Sequence, residues 1–121
     1  LAGKLKLDNL TAVIDRNNIQ IDGYTEDIMP LEPLRAKYEA FNWHVLEING
    51  HDFHEIVNAF ETARAVYEKP VVIIAHTIPG KGVDFMEFKY EWHSKAFKPE
   101  EAKEALSQLR TLGGEITGEH Q

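Results

Sequence analysis

The feature that most constrains the fold is the apolar run Val71-Val72-Ile73-Ile74-Ala75, which directly follows Pro70. All five residues are apolar, four of them are β-branched, and no polar residue interrupts them. Strands buried on both faces of a parallel sheet have this composition, whereas strands with one solvated face alternate apolar and polar residues. The run therefore predicts a central strand of a parallel sheet.

Strands and helices are predicted to alternate along the rest of the chain. Residues 10–14 are typical of a strand buried on both faces, and residues 44–49 of a strand that alternates. Helical spacing and capping residues predict helices over residues 33–42, 53–69 and 99–112. This alternation predicts an α/β fold, with a parallel sheet, flanking helices and right-handed crossovers.

Two of the predicted helices have an apolar stripe that is expected to be buried. The helix over residues 53–69 begins after Asp52, a typical N-cap. Its expected buried stripe is Phe53, Ile56, Val57, Phe60, Ala63 and Tyr67, and that of the last helix is Ala102, Ala105, Leu106, Leu109 and Leu112.

Oxygen-bearing side chains fill the loop after the first predicted strand, Asp15-Arg16-Asn17-Asn18-Ile19-Gln20-Ile21-Asp22-Gly23. Ligands of open α/β sheets bind beyond the carboxyl ends of the strands. The oxygens of Asp15, Asn17, Asn18 and Asp22 suit a small divalent cation, but Asn and Asp also favour ordinary turns. The loop alone therefore favours a turn over a metal site by roughly three to one.

A second long connection, residues 76–98, follows the central strand and exceeds the usual length of such connections. Its Gly80-Lys81-Gly82 stretch lacks the spacing of a Walker phosphate loop and favours a turn. The many large apolar residues predict an ordered loop packed over other parts of the protein rather than a disordered linker. These residues are Phe85, Met86, Phe88, Tyr90 and Trp92.

Histidines by themselves give weak signals in this chain. His51 and His54 lie three residues apart near a predicted helix start, and solvated surface is favoured over a metal pair by roughly ten to one. His93 follows a tryptophan, and a surface position is favoured by about four to one when only these two residues are considered.

The net charge of −7 and the absence of cysteine exclude several classes of function. A nucleic-acid-binding surface is expected to be basic, and disulfides or thiolate metal sites need cysteine. No apolar stretch is long enough to cross a bilayer, and the first residues have no signal-peptide pattern. We expect a soluble, cytoplasmic protein with neither a nucleic-acid nor a membrane partner.

Two segments carry a resemblance to a known family. The first is Lys6-Leu7-Asp8-Asn9-Leu10 followed by residues 15–23, which resembles the second half of the thiamine diphosphate signature of the transketolase family. Residues 79–83, with Glu91-Trp92-His93, resemble the family's loop over the cofactor diphosphate. The resemblance implies that residues 1–112 are the C-terminal portion of a diphosphate-binding domain, with residues 113–121 as a flexible tail.

The resemblance also implies the site residues and the reaction. Asn17 is expected to bind Mg²⁺ through its side-chain oxygen, and Ile19 through its backbone carbonyl, next to thiamine diphosphate. His93 is expected to bind the diphosphate and the substrate as a catalytic residue. The match reverses the odds for His93, so that this role is favoured over a plain surface position. Ser94 and Phe97 depart from the glycine and proline that are usual in the family. The expected reaction transfers a two-carbon ketol group between sugar phosphates.

The same resemblance implies that the enzyme has a further metal-binding motif and a further domain or subunit. The family signature opens with Gly-Asp-Gly, whose aspartate binds the metal, and this half is expected upstream of Leu1. A glutamate that activates the cofactor comes from a pyrimidine-binding domain or subunit. We therefore expect a homo- or hetero-oligomer, including the kind of transketolase whose halves are separate polypeptides, and no activity from this chain alone.

Two alternatives compete with this interpretation. One is another thiamine diphosphate enzyme, such as a deoxyxylulose-phosphate synthase or a 2-oxo-acid dehydrogenase component, against which the Trp92-His93 pair argues. The other is a non-catalytic α/β scaffold module that stabilises a partner.

Overall fold

The structure, a computed structural model, describes residues 1–109, and residues 111–112 and 115–116 as backbone only. The elements are β1 (Thr11–Arg16), β2 (Ile19–Gln20), β3 (Gly23–Tyr24), α1 (Thr25–Ile28), α2 (Leu34–Ala40), β4 (His44–Asn49), α3 (Phe53–Ala65), β5 (Val71–His76), a 3₁₀ helix (Tyr90–His93), α4 (Pro99–Gln108), β6 (Thr111–Leu112) and β7 (Glu115–Ile116). None of the helices in this described part of the chain has the length and apolar character needed to cross a bilayer.

The chain divides into two compact units. The first consists of Leu1–Asn17 and Leu31–Thr77, and the second of Asn18–Pro30 and Ile78–Gln121. The first unit contains a three-stranded parallel sheet in the order β1-β5-β4. The α/β class and the central position of the run at 71–75 are thereby confirmed.

Both faces of β5 are buried because a helix packs on each of them. Ala59 and Ala63 of α3 pack with Val71 and Ile73 on one face. On the other face Leu34 and Tyr38 of α2 pack around Val45, Val72 and Ile74. Successive strand residues point to opposite faces, so a strand between two helix layers has to be apolar at every position. Burial of each of these β-branched side chains stabilises the fold by roughly 1.5–3 kcal/mol.

Two details of the first unit differ from the predictions. The prediction that β1 is buried on both faces is wrong, because β1 is an edge strand in this sheet and Val13 is 54% exposed. The predicted stripe of α3 is also wrong in part. Phe53, Val57, Phe60 and Tyr67 are exposed, and Tyr67 lies beyond the end of α3. Ala63 is buried as predicted, and Ala59, which the predicted stripe omitted, packs with it against the sheet.

The second unit contains the β2–β3 hairpin, α1, the 3₁₀ helix, α4 and the β6–β7 pair. Its core is a cluster of Val83, Met86 and Ala105, with Phe85 and Trp92 packed against it. The connection after β5 is therefore ordered, as predicted, and packs on α4.

The last helix is shorter than predicted. It ends at Gln108, and Leu112 belongs to β6 instead of the helix. Leu106 is 68% exposed, so the predicted buried stripe is reduced mainly to Ala105. Apart from the backbone of 115–116, the predicted flexible tail at 113–121 lies outside the described residues.

Candidate functional site

The carboxyl end of β1 is held by a buried arginine. Arg16 is 4% exposed, and its Nε and Nη2 atoms donate to the Glu32 carboxylate at 3.2 and 3.1 Å. The second oxygen of Glu32 accepts the Leu34 backbone N–H at 2.9 Å. The pKa of Glu32 is lowered, first by this N–H bond and then by Arg16, so the carboxylate is charged at neutral pH.

Asp15 and Thr77 join the ends of β1 and β5. The Thr77 hydroxyl donates a hydrogen bond to the Asp15 carboxylate. Gly50, after β4, donates its N–H to the His76 carbonyl at 2.8 Å, and a Cβ added at Gly50 would lie 2.5 Å from the Thr77 side chain. The three strand ends therefore meet in close contact at the edge of the sheet where α/β proteins bind ligands.

Asn17 and Ile19 follow β1 directly, but they belong to different units. Asn17 is half-buried in the first unit, immediately after β1. Asn18 has a φ of 64°, which asparagine tolerates better than most residues. Ile19 pairs with Tyr24 in the hairpin, next to a hydrogen-bonded Asn18–Thr25 pair. Because such pairs alternate, the backbone groups of Ile19 point away from β3.

Each of these two residues carries an oxygen of a kind that Mg²⁺ binds. An amide oxygen and a backbone carbonyl are both hard donors of the kind that Mg²⁺ binds. Two neutral oxygens do not complete the octahedral coordination that Mg²⁺ requires, so anionic ligands from a diphosphate and from other residues would have to complete it. Among the described residues no group of three or more His, Cys, Asp or Glu side chains is positioned to hold a metal.

The other oxygen donors proposed for this loop have local roles. Asp15 accepts the hydrogen bond from Thr77. Asp22 lies exposed in the hairpin turn, where its backbone N–H donates to the Gln20 side chain at 3.2 Å. The turn interpretation is therefore correct for Asp22.

The Gly80-Lys81-Gly82 stretch is a turn with specific internal bonds. Gly80 and Gly82 have φ values of 74° and 90°, in the left-handed region that favours glycine. Glu87, which is 4% exposed, accepts the Gly82 N–H at 2.8 Å. A Cβ at Gly80 would lie 2.6 Å from that of Met86, so this stretch is fixed against the rest of its loop.

His93 lies at the end of the 3₁₀ helix and is exposed. The preceding Trp92 is half-buried, with ring centroids 5.2 Å from Phe85 and 5.6 Å from Phe97. Phe97, which departs from the family pattern, thus contributes to the packing of Trp92. The pair of residues at 92–93 therefore combines a packed anchor with an imidazole that solvent can reach.

The remaining sequence hypotheses concern His51 and His54. Both side chains are exposed. The backbone N–H of His51 donates to the Asn49 side chain at the end of β4, and that of His54 donates to the Asp52 side chain at the start of α3. These positions agree with the solvated-surface interpretation.

Several residues that shape the site were not identified from the sequence. These residues are Thr77, Glu32 and Glu87. Their hydrogen-bond partners lie 62, 16 and 5 positions away in the sequence, respectively. The one available signal was the position of Thr77, directly beyond the central apolar strand.

Comparison with known proteins identifies one family. A family model described as "Transketolase, thiamine diphosphate binding domain" matches residues 1–113. The 6-deoxy-6-sulfo-D-fructose transketolase subunit SqwG of Clostridium sp. (strain MSTE9) is 46% identical over 112 residues, which are 93% of this chain and 41% of that protein. An apulose-4-phosphate transketolase subunit of Phocaeicola vulgatus is 43% identical, over 86% of this chain and 37% of its own length.

Solved structures agree with these relatives. The crystal structure of transketolase from Campylobacter jejuni superposes with a TM-score of 0.80 at 38% identity, and covers 88% of this chain and 17% of that one. The chain thus spans about two fifths of the curated relatives named above, at 41% and 37% of their lengths.

Proposed function

Because this chain belongs to the transketolase family, through its thiamine diphosphate binding domain, we propose that it forms part of the cofactor site of a transketolase. The proposed reaction transfers a two-carbon ketol group between sugar phosphates. The observation that carries the proposal is the position of Asn17, half-buried directly after the carboxyl end of a strand in a parallel sheet. Ligands of open α/β sheets bind at this end of the strands.

Asn17 and Ile19 are the proposed metal ligands of this chain. Asn17 would bind Mg²⁺ through its amide oxygen and Ile19 through its backbone carbonyl, and the metal would hold the diphosphate of the cofactor. Thiamine diphosphate, when bound, supplies the carbon nucleophile of the transfer. Because both proposed ligands are neutral, the charge of the metal would be balanced by the diphosphate and by ligands outside this chain.

His93 is the proposed catalytic residue of this chain. Its imidazole is exposed, so a ligand can reach it, and its position is fixed by the packed Trp92 beside it. An imidazole can donate a hydrogen bond to a diphosphate oxygen, and it can exchange a proton with a substrate hydroxyl. We therefore propose that His93 orients the diphosphate and binds the hydroxyl groups of the sugar.

The proposed enzyme needs more than these residues. The relatives named as transketolase subunits support an assembly of subunits, and they are longer than this chain. We propose that a segment with a Gly-Asp-Gly motif supplies the anionic metal ligand, and that a pyrimidine-binding domain or subunit completes the site. We also propose that the enzyme works in the cytoplasm, with which the absence of cysteine is compatible.

We propose that the donor substrate is a ketose derivative. One relative is named for 6-deoxy-6-sulfo-D-fructose and another for apulose-4-phosphate, so members at this level of identity act on different sugars. A panel of ketose donors would separate the transketolase reaction from that of a synthase or of a 2-oxo-acid dehydrogenase component.

The experiment that tests the proposal measures cofactor retention instead of turnover. In the assembled enzyme, thiamine diphosphate binding is titrated against Mg²⁺ for the wild type and for Asn17→Ala. We expect Asn17→Ala to need about tenfold more Mg²⁺ for half-maximal binding, since it removes a direct ligand. Asn17→Asp keeps an oxygen at this position and is expected to bind better than the alanine variant.

Asn58→Ala is the matched control, because Asn58 is an exposed residue of α3. Its Mg²⁺ dependence is expected to equal that of the wild type. An unchanged Mg²⁺ dependence in Asn17→Ala would remove Asn17 from the metal site. An assembly that binds neither Mg²⁺ nor the cofactor would favour the scaffold alternative.

A further inference from the structure

The 3₁₀ helix that ends at His93 is a weak element by itself. It has four residues, and short 3₁₀ turns have poorer hydrogen-bond geometry than α-helices. Its Trp92 N–H donates to the Lys89 carbonyl at 3.3 Å, near the limit for such a bond. The position of the His93 imidazole therefore depends on what anchors the helix to its own unit.

A lysine provides such an anchor. The Nζ atom of Lys95 lies 3.8 Å from the centroid of the Trp92 ring, and 2.9 Å from a carboxylate oxygen of Glu101 in α4. An ammonium group over an indole face is attracted by the ring, and the carboxylate neutralises its charge. We call Trp92, Lys95 and Glu101 the lysine clasp.

Glu101 is itself held in place. Its second oxygen accepts the Lys98 backbone N–H at 2.8 Å, at the start of α4. The pKa of Glu101 is lowered, first by this N–H bond and then by Lys95, so the carboxylate is charged at neutral pH. The clasp thus connects a ring beside His93 to the first turn of a ten-residue helix.

We propose that Lys95 and Glu101 are positioning residues for His93, because the lysine clasp fixes the 3₁₀ helix to α4. The proposal rests on the cofactor- and substrate-binding role of His93 proposed above. The clasp restrains Trp92, and Trp92 restrains the next residue of the chain. Loss of the clasp leaves the imidazole chemically intact but places it in several orientations, which weakens its contacts with the diphosphate.

The test uses the assembled enzyme and measures thiamine diphosphate affinity at saturating Mg²⁺. Lys95→Met keeps the aliphatic chain but removes the charge, and we expect the Kd to rise about three- to tenfold. Lys95→Arg keeps a cation that can stack on Trp92 and bind Glu101, and its Kd is expected to stay within about twofold of the wild type.

The decisive comparison repeats Lys95→Met in a His93→Ala background. If Lys95 acts through His93, it has no further effect once the imidazole is absent, so the two effects are not additive. A purely structural role of Lys95 would give the same loss in both backgrounds and would overturn the proposal. Lys103→Met is the matched control, because Lys103 is an exposed lysine of α4, and its Kd should not change.

The experiment distinguishes an error in the positioning role of Lys95 from an error in the binding role proposed for His93. An increased Kd in His93→Ala together with an unchanged Kd in Lys95→Met overturns the positioning role alone. An unchanged Kd in His93→Ala overturns the role proposed for His93, and with it the positioning role of Lys95.

Discussion

The Thr77 hydroxyl donates a hydrogen bond to the Asp15 carboxylate and so joins the end of β5 to the end of β1. Asp15 lies two positions before Asn17, the proposed metal ligand. The register of the two strands places Asp15 opposite Ala75 and Arg16 opposite His76. The side-chain bond therefore reaches from Thr77, one residue past the paired part of β5, back to a paired residue of β1.

Replacing Thr77 by valine removes this hydroxyl donor while the side chain keeps its branched shape. We expect the free energy of unfolding to fall by about 1 kcal/mol, since Asp15 is exposed and regains water when the bond is lost. Thr77→Ser keeps a hydroxyl and is expected to retain most of the stability. Urea unfolding of the three proteins measures the difference.

Thr62 provides the control for this substitution. Its hydroxyl donates to the Asn58 carbonyl within α3, at an exposed position. Thr62→Val is expected to change the stability by less than about 0.5 kcal/mol. A Thr77→Val protein as stable as the wild type would contradict the structural role of the bond.

The sheet was predictable because its signal is local. The apolar run at 71–75 needs no knowledge of its neighbours to indicate a doubly covered strand, and β4 was predicted with its observed bounds. The face of α3 was predictable only in part. Ala63 was expected to be buried and is, but Phe53 and Val57 share the spacing of the predicted stripe and are exposed, whereas the small Ala59 packs on the sheet beside Ala63.

The candidate site was predictable only where the family motif names a residue. Asn17, Ile19 and His93 came from that resemblance, and their roles remain predictions. The contacts around them follow from tertiary structure. Lys95 and Glu101 are six positions apart, and only the folding of residues 94–101 brings them together at Trp92. Sequence spacing predicts no such pair, since side chains six residues apart are not neighbours on a helix and lie far apart along a strand.

Gly80 is expected to resist substitution more than Gly23, another glycine of the same unit. It has a φ of 74°, and an added Cβ would lie 2.6 Å from the Cβ and 2.9 Å from the carbonyl carbon of Met86. Gly80→Ala therefore combines a strained backbone with a clash against a buried residue. We expect a loss of about 2–4 kcal/mol in the free energy of unfolding, measured by urea unfolding.

Gly23→Ala is the comparison for Gly80→Ala. Its Cβ would lie 3.2 Å from the Ile28 side chain, whose end can move. The expected loss is within about 1 kcal/mol. Equal losses at Gly80 and Gly23 would show that the turn after Pro79 adapts to a side chain and is not fixed.

The Arg16–Glu32 pair predicts a specific dependence of stability on pH. The folded pKa of Glu32 lies below its usual value of 4.5, so the charged carboxylate stabilises the folded state above that pH, and the contribution is lost as the pH falls through the folded pKa. Glu32→Gln is expected to cost about 1 kcal/mol at pH 7, since Glu32 is 54% exposed and the pair is partly screened. Urea unfolding of the wild type and of Glu32→Gln from pH 7 to pH 3 should show the difference between their free energies of unfolding shrinking in acid.

Glu39→Gln is the control, because Glu39 forms an exposed helical pair with Arg35. Its free energy of unfolding should differ little from that of the wild type at any pH. A difference for Glu32→Gln that stays constant or grows in acid would mean that the charge of Glu32 does not stabilise the folded chain.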